Sequence, residues 1–341
     1  MLRPIDIIYI GMPTLLWCPG CPFVQNFGGS LAQRQQYDKH RCRHMIIKYC
    51  RPLSRLIIIW HGELLNDLGQ ADRAVAELVE TVQRLLGTPV RLFGSRESGL
   101  HLPTSDADLV VCGLSDDYLL TGAADVLHGH LRMAGDSGFS IVDDTRFERI
   151  GGTVSLSTPN GGNVEVKVDL SKHAAHHSGL LHSNEVARLL AELPPLAMLT
   201  RLIKTRVSRK SGGLSGHIIM LMAAAIIREQ QSLCRDLGPS SIGPLLYIFL
   251  STFSHGKLDD SHMYHVSCTP DISGKCIRAI PRLGQLLYVE DLLIPTRNAA
   301  EACLFVPLRE DQESLGRWLK AIRKCVHGQP SKSEMLVALG V

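Results

Sequence analysis

A chain of 341 residues is long enough for about two domains, each burying its own core. Its 45% hydrophobic and 20% charged residues exclude a fibrous or disordered polymer, and a net charge of +3 is too small for capture of nucleic acid by a global field. Ten cysteines without a common spacing do not read as a disulfide scaffold, and the longest apolar run, the ten residues Ile218–Ile227, is about half of what a bilayer-crossing helix needs, so no membrane segment is expected.

The first 60 or so residues differ from the rest. They carry eight basic side chains against Asp6 and Asp38, which leaves the remainder at net −3. If the folded part binds RNA, it does so through a local basic groove. Periodicity here is not sustained, and residues 1–62 read as an extension of weak order. Its composition meets some conditions of an organellar transit peptide. An intracellular site, nuclear or cytoplasmic, is expected, with mitochondrial targeting left open.

From Ala71 onward Val75, Leu78, Val79, Val82, Leu85 and Leu86 recur at helical spacing, and Gly87 stands where a C-terminal cap belongs. A strand Val90–Phe93 follows, broken by Gly94-Ser95. A second strand, Ala107–Cys112, follows the turn residues Pro103, Thr104 and Ser105. Thr121 caps a helix predicted to run to about Met133. Strands Val154–Ser157 and Val164–Leu170 flank Pro159-Asn160-Gly161-Gly162, a strong hairpin turn. Beyond Ser171 the pattern is helical: Asn184–Leu193, Leu196 to about Arg209, Leu214–Gln230, Pro244–Phe253 and Glu310–Val326. The third of these is apolar on nearly every face and is expected to be buried. The expected fold is α+β: a mixed sheet with packed helices over residues 63–172, then a mostly helical domain over 173–341.

The chemistry concentrates in Leu92-Phe93-Gly94-Ser95 and Asp106-Ala107-Asp108, separated by a ten-residue connection. Strand alternation puts Asp106 and Asp108 on one face. Two carboxylates this close do not both stay ionised without a cation between them. Hard oxygen ligands suit Mg²⁺, or Mn²⁺, held together with substrate phosphates. Gly94-Ser95, a turn after a strand, offers backbone N–H groups and a hydroxyl to a phosphate. In Val164-Glu165-Val166-Lys167-Val168-Asp169 the valines share a face, and Asp169 ends the other. Two metals about 4 Å apart activate an attacking oxygen and stabilise a leaving one. In that scheme Asp169 positions a 3′-hydroxyl while Asp106 and Asp108 hold both ions.

Together these segments resemble the signature of the DNA polymerase β-like nucleotidyltransferase superfamily, and more narrowly the TRAMP-type poly(A) polymerases and terminal uridylyltransferases. The likeness runs over roughly residues 64–308. Val166–Ser171 is similar to the third-carboxylate strand, Ser183-Asn184-Glu185 and Pro195-Leu196 to the helices after it, Gly212–His217 to a Gly-Leu-Ser-Ser-Tyr segment, and Glu290–Pro295 with Asn298 to the nucleotide-recognition loop. The resemblance implies a palm-type catalytic domain and a helical, PAP-associated central domain, with a nucleoside triphosphate between them. It implies Asp106, Asp108 and Asp169 as Mg²⁺ ligands and catalytic residues. Gly94, Ser95, Ser183 and Ser215 would meet the nucleotide. Arg201 stands where relatives carry a triphosphate lysine, with Lys204 as substitute, and Asn298 would lie near the base.

Departures cluster in base recognition. His217 replaces the stacking aromatic residue, Leu292 replaces a proline, and Ala300 and Glu301 replace a small residue and an arginine. The expected activity is template-independent addition of nucleotides to an RNA 3′ end, with ATP preferred and UTP as the alternative. An idle homologue acting as a scaffold is the rival. No separate RNA-binding module is evident, so either the cleft alone holds the RNA 3′ end or an RNA-binding partner protein delivers it, and the resemblance to the TRAMP-type enzymes implies such a partner. Cys18 and Cys21, with His40, Cys42, His44 and Cys50 downstream, have only part of a zinc-site spacing. His173, His176 and His177 read as an interdomain loop, since Mg²⁺ avoids imidazole.

Overall fold

The computed structural model describes residues 31–112, 149–157, 163–172, 177–207, 212–254, 262–281, 287–327 and 332–339. Side chains are not described over most of 31–46 or over 149–172. The helix predicted over 121–133 and the turn at 159–162 lie outside these residues, as do Cys18, Cys21, His173 and His176. The chain divides into two compact units, Met1–Ile46 and Ile47–Val341. Of the first, only helical backbone from Leu31 is described. The second holds the elements on which the site is built.

Helix α1 runs Leu31–Leu86, with Pro52 inside it. The sequence reading begins this helix only near Ala71. Within the second unit, Cys50, Leu53, Ile57, Leu68, Ala71, Val75, Leu78 and Val82 are all buried. Their spacing is three or four except between Ile57 and Leu68, where half-buried His61 and Leu64 carry the same face across. Ser54 adds a polar anchor: its hydroxyl lies 2.7 Å from the Ser240 carbonyl and accepts from Gly243 N–H at 3.0 Å.

After Gly87 come β1 (Val90–Phe93), a short helix α2 (Gly94–Glu97), β2 (Ala107–Val111), β3 (Arg149–Ser157) and β4 (Asn163–Lys172). They form a four-stranded sheet in the order β1-β2-β4-β3, with β2 and β4 parallel and the other two pairs antiparallel. Val75, Leu78 and Val82 of α1 pack on Val90, Ala107, Leu109 and Val111, the inward positions of two alternating strands. At about 1.5–3 kcal/mol for each large side chain buried, this contact fixes the sheet on the helix.

The rest is mainly helical: α3 (Ser178–Glu192), α4 (Leu196–Lys204), α5 (Gly216–Glu229), α6 (Gln231–Leu237), α7 (Ile242–Phe253), α8 (Phe305–His327) and α9 (Lys332–Leu339). Every residue of α5 from Ile218 to Ile227 is buried, as its all-round apolarity predicts. A second sheet, β6-β5-β7, is built from β5 (His262–Val266), β6 (Ile277–Pro281) and β7 (Leu287–Val289). The sequence reading did not include these short strands. Glu229 at the end of α5 holds β6 by accepting from the N–H groups of Cys276 and Ile277, both at 2.8 Å. Among the described residues no helix is long and apolar enough to cross a membrane.

Candidate active site

The end of β1 and the start of β2 create the site. Antiparallel register sets Phe93 opposite Asp108, and the parallel β2–β4 register sets Asp169 opposite Asp108. Residues 93, 108 and 169 therefore form one backbone row across three strands, with Gly94 continuing the first and Asp106 preceding the second. Gly94 has φ +70°, and a Cβ there would lie 2.4 Å from Asp108 Oδ2. Only glycine admits both the backbone angle and the carboxylate. Its N–H donates to Ser183 Oγ at 2.8 Å, which ties the turn to α3. Ser183 in turn donates to Gly179 O at 2.8 Å. Gly179 itself lies so close to the Phe93 ring that a Cβ would overlap it, and His177 stacks edge-on against that ring at 4.7 Å.

Two adjoining cavities of about 520 and 510 Å³ open beside this row. Ser95, Asp108, Lys204, Gly216 and Ala299 line both. The first also takes in Asp106 and Ser215, and the second Gly94, Ser183, His217 and Asp291. Thus Asp106, Asp108, Gly94, Ser95, Ser183, Lys204, Ser215 and His217 are brought together around one cleft between the sheet and the helices. Ser215 also caps α5, accepting from Ile218 N–H at 3.3 Å. Of Asp169 only the backbone position is described.

Two of the residues named from sequence stand elsewhere. Arg201 lines neither cavity. Its guanidinium is buried and donates to the Gly99 carbonyl and, at 2.8 Å, to His61 Nε2. Lys204, one turn on, lines both cavities instead and donates from Nζ to Leu100 O at 2.9 Å. Gly216 makes room for it, since a Cβ there would lie 3.0 Å from Lys204 Cε. Asn298 is also absent from both linings. Its Oδ1 accepts from the N–H groups of Val289 and Ala300 at 2.9 and 3.0 Å, and its Nδ2 donates to Leu287 O at 3.3 Å. The amide thus braces the loop whose neighbours Arg297 and Ala299 line the second cavity.

Behind the aspartates lies a charge the sequence reading passed over. Arg96, buried in α2, pairs with Asp72 of α1 at 3.3 Å and donates to Ser105 O at 2.8 Å. Burial pulls its guanidinium below the usual range, while Asp72, Asp106 and Asp108 draw it back up. His101 Nε2 lies 2.7 Å from the same Asp72 carboxylate. Other residues missed are His182, whose Nε2 contacts Asp291 at 3.1 Å, and Asp311 of α8, fully buried, which accepts from Leu214 N–H at 2.7 Å. Burial holds His217 down to about 4, His182 pushing the same way and Asp291 opposing. Burial raises the Asp291 carboxyl, but the N–H groups of Leu293 and Ile294 together with His182 outweigh it and hold it low.

The residues present fit a divalent cation. Asp106 is exposed and Asp108 half-buried on one cavity wall, their oxygens are hard donors, and the Asp108 carboxylate is seated against the bare Gly94 backbone. What this arrangement can do chemically is hold a metal–phosphate group between the sheet and α4–α5.

The sequence profile of the Nucleotidyltransferase domain family matches residues 75–130. That segment carries Gly94, Ser95, Asp106 and Asp108. The chain shares its fold, a mixed sheet packed with helices, with solved polymerase cores. Among solved structures it is similar to the polymerase core of TRAMP, an RNA surveillance complex, at 16% identity and a TM-score of 0.62, covering 85% of this chain and 93% of that one. It is also similar to the Cid1 poly(U) polymerase in a MgATP-bound form, at 16% identity and a TM-score of 0.60, over 83% of this chain and 98% of that one. A cytoplasmic RNA terminal U-transferase matches at 16% identity and a TM-score of 0.56, over 83% and 97%.

Proposed function

We propose that this protein is a divalent-metal-dependent RNA nucleotidyltransferase that adds nucleotides, adenylate by preference, to an RNA 3′ end and releases pyrophosphate. The observation that carries this reading is the single cleft in which Asp106, Asp108, Ser95, Lys204 and Ser215 meet. Residues of these types hold a triphosphate and its metal, and nothing in a structural scaffold calls for two carboxylates on an open cavity wall.

Asp106 and Asp108, with Asp169 at the paired register position, are the residues that would hold Mg²⁺. When bound there, the cations supply the positive charge that activates the attacking oxygen and stabilises the leaving one. The chain does the positioning. Gly94 and Ser95 bring backbone and hydroxyl to the phosphates, and Lys204 adds a cation that its bond to Leu100 O holds in place. Asp169 orients the 3′-hydroxyl. The second cavity, with His217 and Asp291 in its wall, takes the nucleoside end. A partner protein supplies RNA affinity.

Adenylate follows from the sequence likeness to the TRAMP-type branch. Uridylate is the second reading, favoured by the likeness in fold to the poly(U) polymerase. The test is extension of a labelled single-stranded RNA with each of the four nucleoside triphosphates and Mg²⁺, run beside the Asp106→Ala/Asp108→Ala protein. Extension with ATP that the double variant abolishes is the expected result, and extension with UTP alone reverses the base choice. Failure with every triphosphate, joined to absence of nucleotide binding in a separate titration, overturns the reading in favour of a scaffold.

A further inference from the structure

The cleft contains a second group of donor atoms that the carboxylate site does not use. His182 on α3, His217 on α5 and Asp291 after β7 each bring one donor to within 4.8 Å of the others. Both ring nitrogens of His182 face acceptors: Nδ1 lies 2.7 Å from Ser178 O, and Nε2 lies 3.1 Å from each oxygen of Asp291. A neutral imidazole carries one N–H. With that hydrogen given to the Ser178 carbonyl, the Nε2 lone pair points at a carboxylate, an arrangement that needs positive charge between the two. The Asp291 carboxylate is fixed there, 6% exposed, by the N–H groups of Leu293 and Ile294 at 2.8 and 3.2 Å. His217 stands edge-on to His182 with centroids 5.2 Å apart, and its buried Nε2 has no hydrogen-bond partner among the described residues.

A proton on His182 Nε2 would satisfy the pair with Asp291 but would leave His217 without a partner. A divalent cation satisfies all three at once. We propose that His182, His217 and Asp291 form a site for a borderline transition-metal cation of the Zn²⁺ class, separate from the Mg²⁺ carboxylates. Two imidazoles and one carboxylate are a donor set that suits Zn²⁺ and that Mg²⁺ avoids. Donors about 2.1 Å from one tetrahedral ion stand about 3.4 Å apart. The His182–Asp291 pair is already at 3.1 Å, and a swing of one imidazole brings in His217. The Ser178 carbonyl on Nδ1 is the outer partner that fixes the tautomer of a ligating histidine. Three protein donors leave a fourth position open toward the second cavity, which all three residues line together with Gly94 and Asp108. An ion here therefore competes with the nucleoside end of a nucleotide, a consequence that, unlike the site itself, rests on the proposed function.

The test is a titration of the full-length, reduced and chelator-stripped protein with Co²⁺ in excess Mg²⁺, followed by absorption. The expected result is a d–d spectrum of nitrogen and oxygen ligation without thiolate charge transfer, displaced by Zn²⁺. It persists in Cys18→Ser/Cys21→Ser. In His217→Phe the affinity falls by at most the occupancy limit of the assay and at least the roughly 10–100-fold that losing even an outer partner costs. His182→Gln behaves likewise, and circular dichroism reports that each variant is folded. His217→Phe, which keeps a ring in the pocket, serves alone if His182→Gln unfolds. No d–d spectrum in the wild type, only a thiolate spectrum, or a spectrum unchanged in the histidine variants overturns the site. RNA extension is read separately, so an inactive protein that still binds Co²⁺ counts against the proposed function and not against this site.

Discussion

At the residue scale little space surrounds Asp108. Gly94→Ala places a methyl group where Asp108 Oδ2 now sits, at a backbone angle of +70° that alanine resists. The expected outcome is an RNA-extension rate reduced about 100-fold or more, the order of losing one well-placed electrostatic group, in a protein that still melts cooperatively. Full activity in Gly94→Ala would contradict the packing described. His61 gives a pH signature. Burial, then Arg201, hold it down to about 4, because its Nε2 must stay unprotonated to accept from Arg201. Above its ordinary value of 6.5 both folded and unfolded forms are neutral there. As pH falls below 6.5 the unfolded chain takes up the proton first, so stability declines until pH passes about 4. A urea-denaturation series over that window should show the decline, and His61→Gln should make it shallower, the remainder coming from His217, which burial holds down over the same window. These details show what sequence reveals of a site. The Gly-Ser turn and the Asp-x-Asp segment at the start of β2 were legible because local backbone geometry sets where each residue stands. The position of Arg201 away from both cavities was not legible, because the partners that hold it, His61 and Gly99, are about 100 or more residues away in sequence. Arg96 and Asp311 went unseen because a buried charge is placed by its tertiary partners and has no periodicity, and Asp72, itself exposed, is marked only by its contact with Arg96.

At the scale of elements, α1 is the clearest difference from the sequence reading. Its apolar stripe from Cys50 to Val82 keeps helical spacing, but Pro52 and the run Leu56-Ile57-Ile58-Ile59 obscure it, the first reading as a breaker and the second as a strand. Tertiary packing settles the matter. Ser54→Ala removes the hydroxyl that bridges Ser240 O and Gly243 N–H, and should cost about 1–3 kcal/mol in a denaturant melt. Gly243→Ala should cost more, since a Cβ there meets Cys50 O at 2.4 Å and the helix would have to move. The short strands β5, β6 and β7 escaped notice because only five, five and three residues carry the pattern. Asn298 holds its loop from within. Its amide braces backbone, so Asn298→Ala should lower stability as well as nucleotide affinity, whereas a residue that only touched the base would change affinity alone.

At the scale of the molecule, a sheet carrying acidic residues faces a helical body carrying Lys204, Ser215 and His217, and the cleft exists only because both are present. Alternating strands, an all-apolar α5 and the shift from sheet to helix after residue 172 made that architecture legible in advance. The meeting of His217, Asp291 and Ala299 on one cavity wall was not legible, since they come from three separate segments. In the proposed reaction Asp106, Asp108 and Asp169, from the start of β2 and the paired position of β4, act as one metal site. Asp169 tests it most directly, because its place follows from the register opposite Asp108. Single-turnover extension of a labelled RNA should be slowed by about 100-fold or more in Asp169→Asn, with nucleotide affinity nearly unchanged. Extension by Asp169→Asn at a rate within about twofold of the wild type, less than any single catalytic group contributes, would contradict the account.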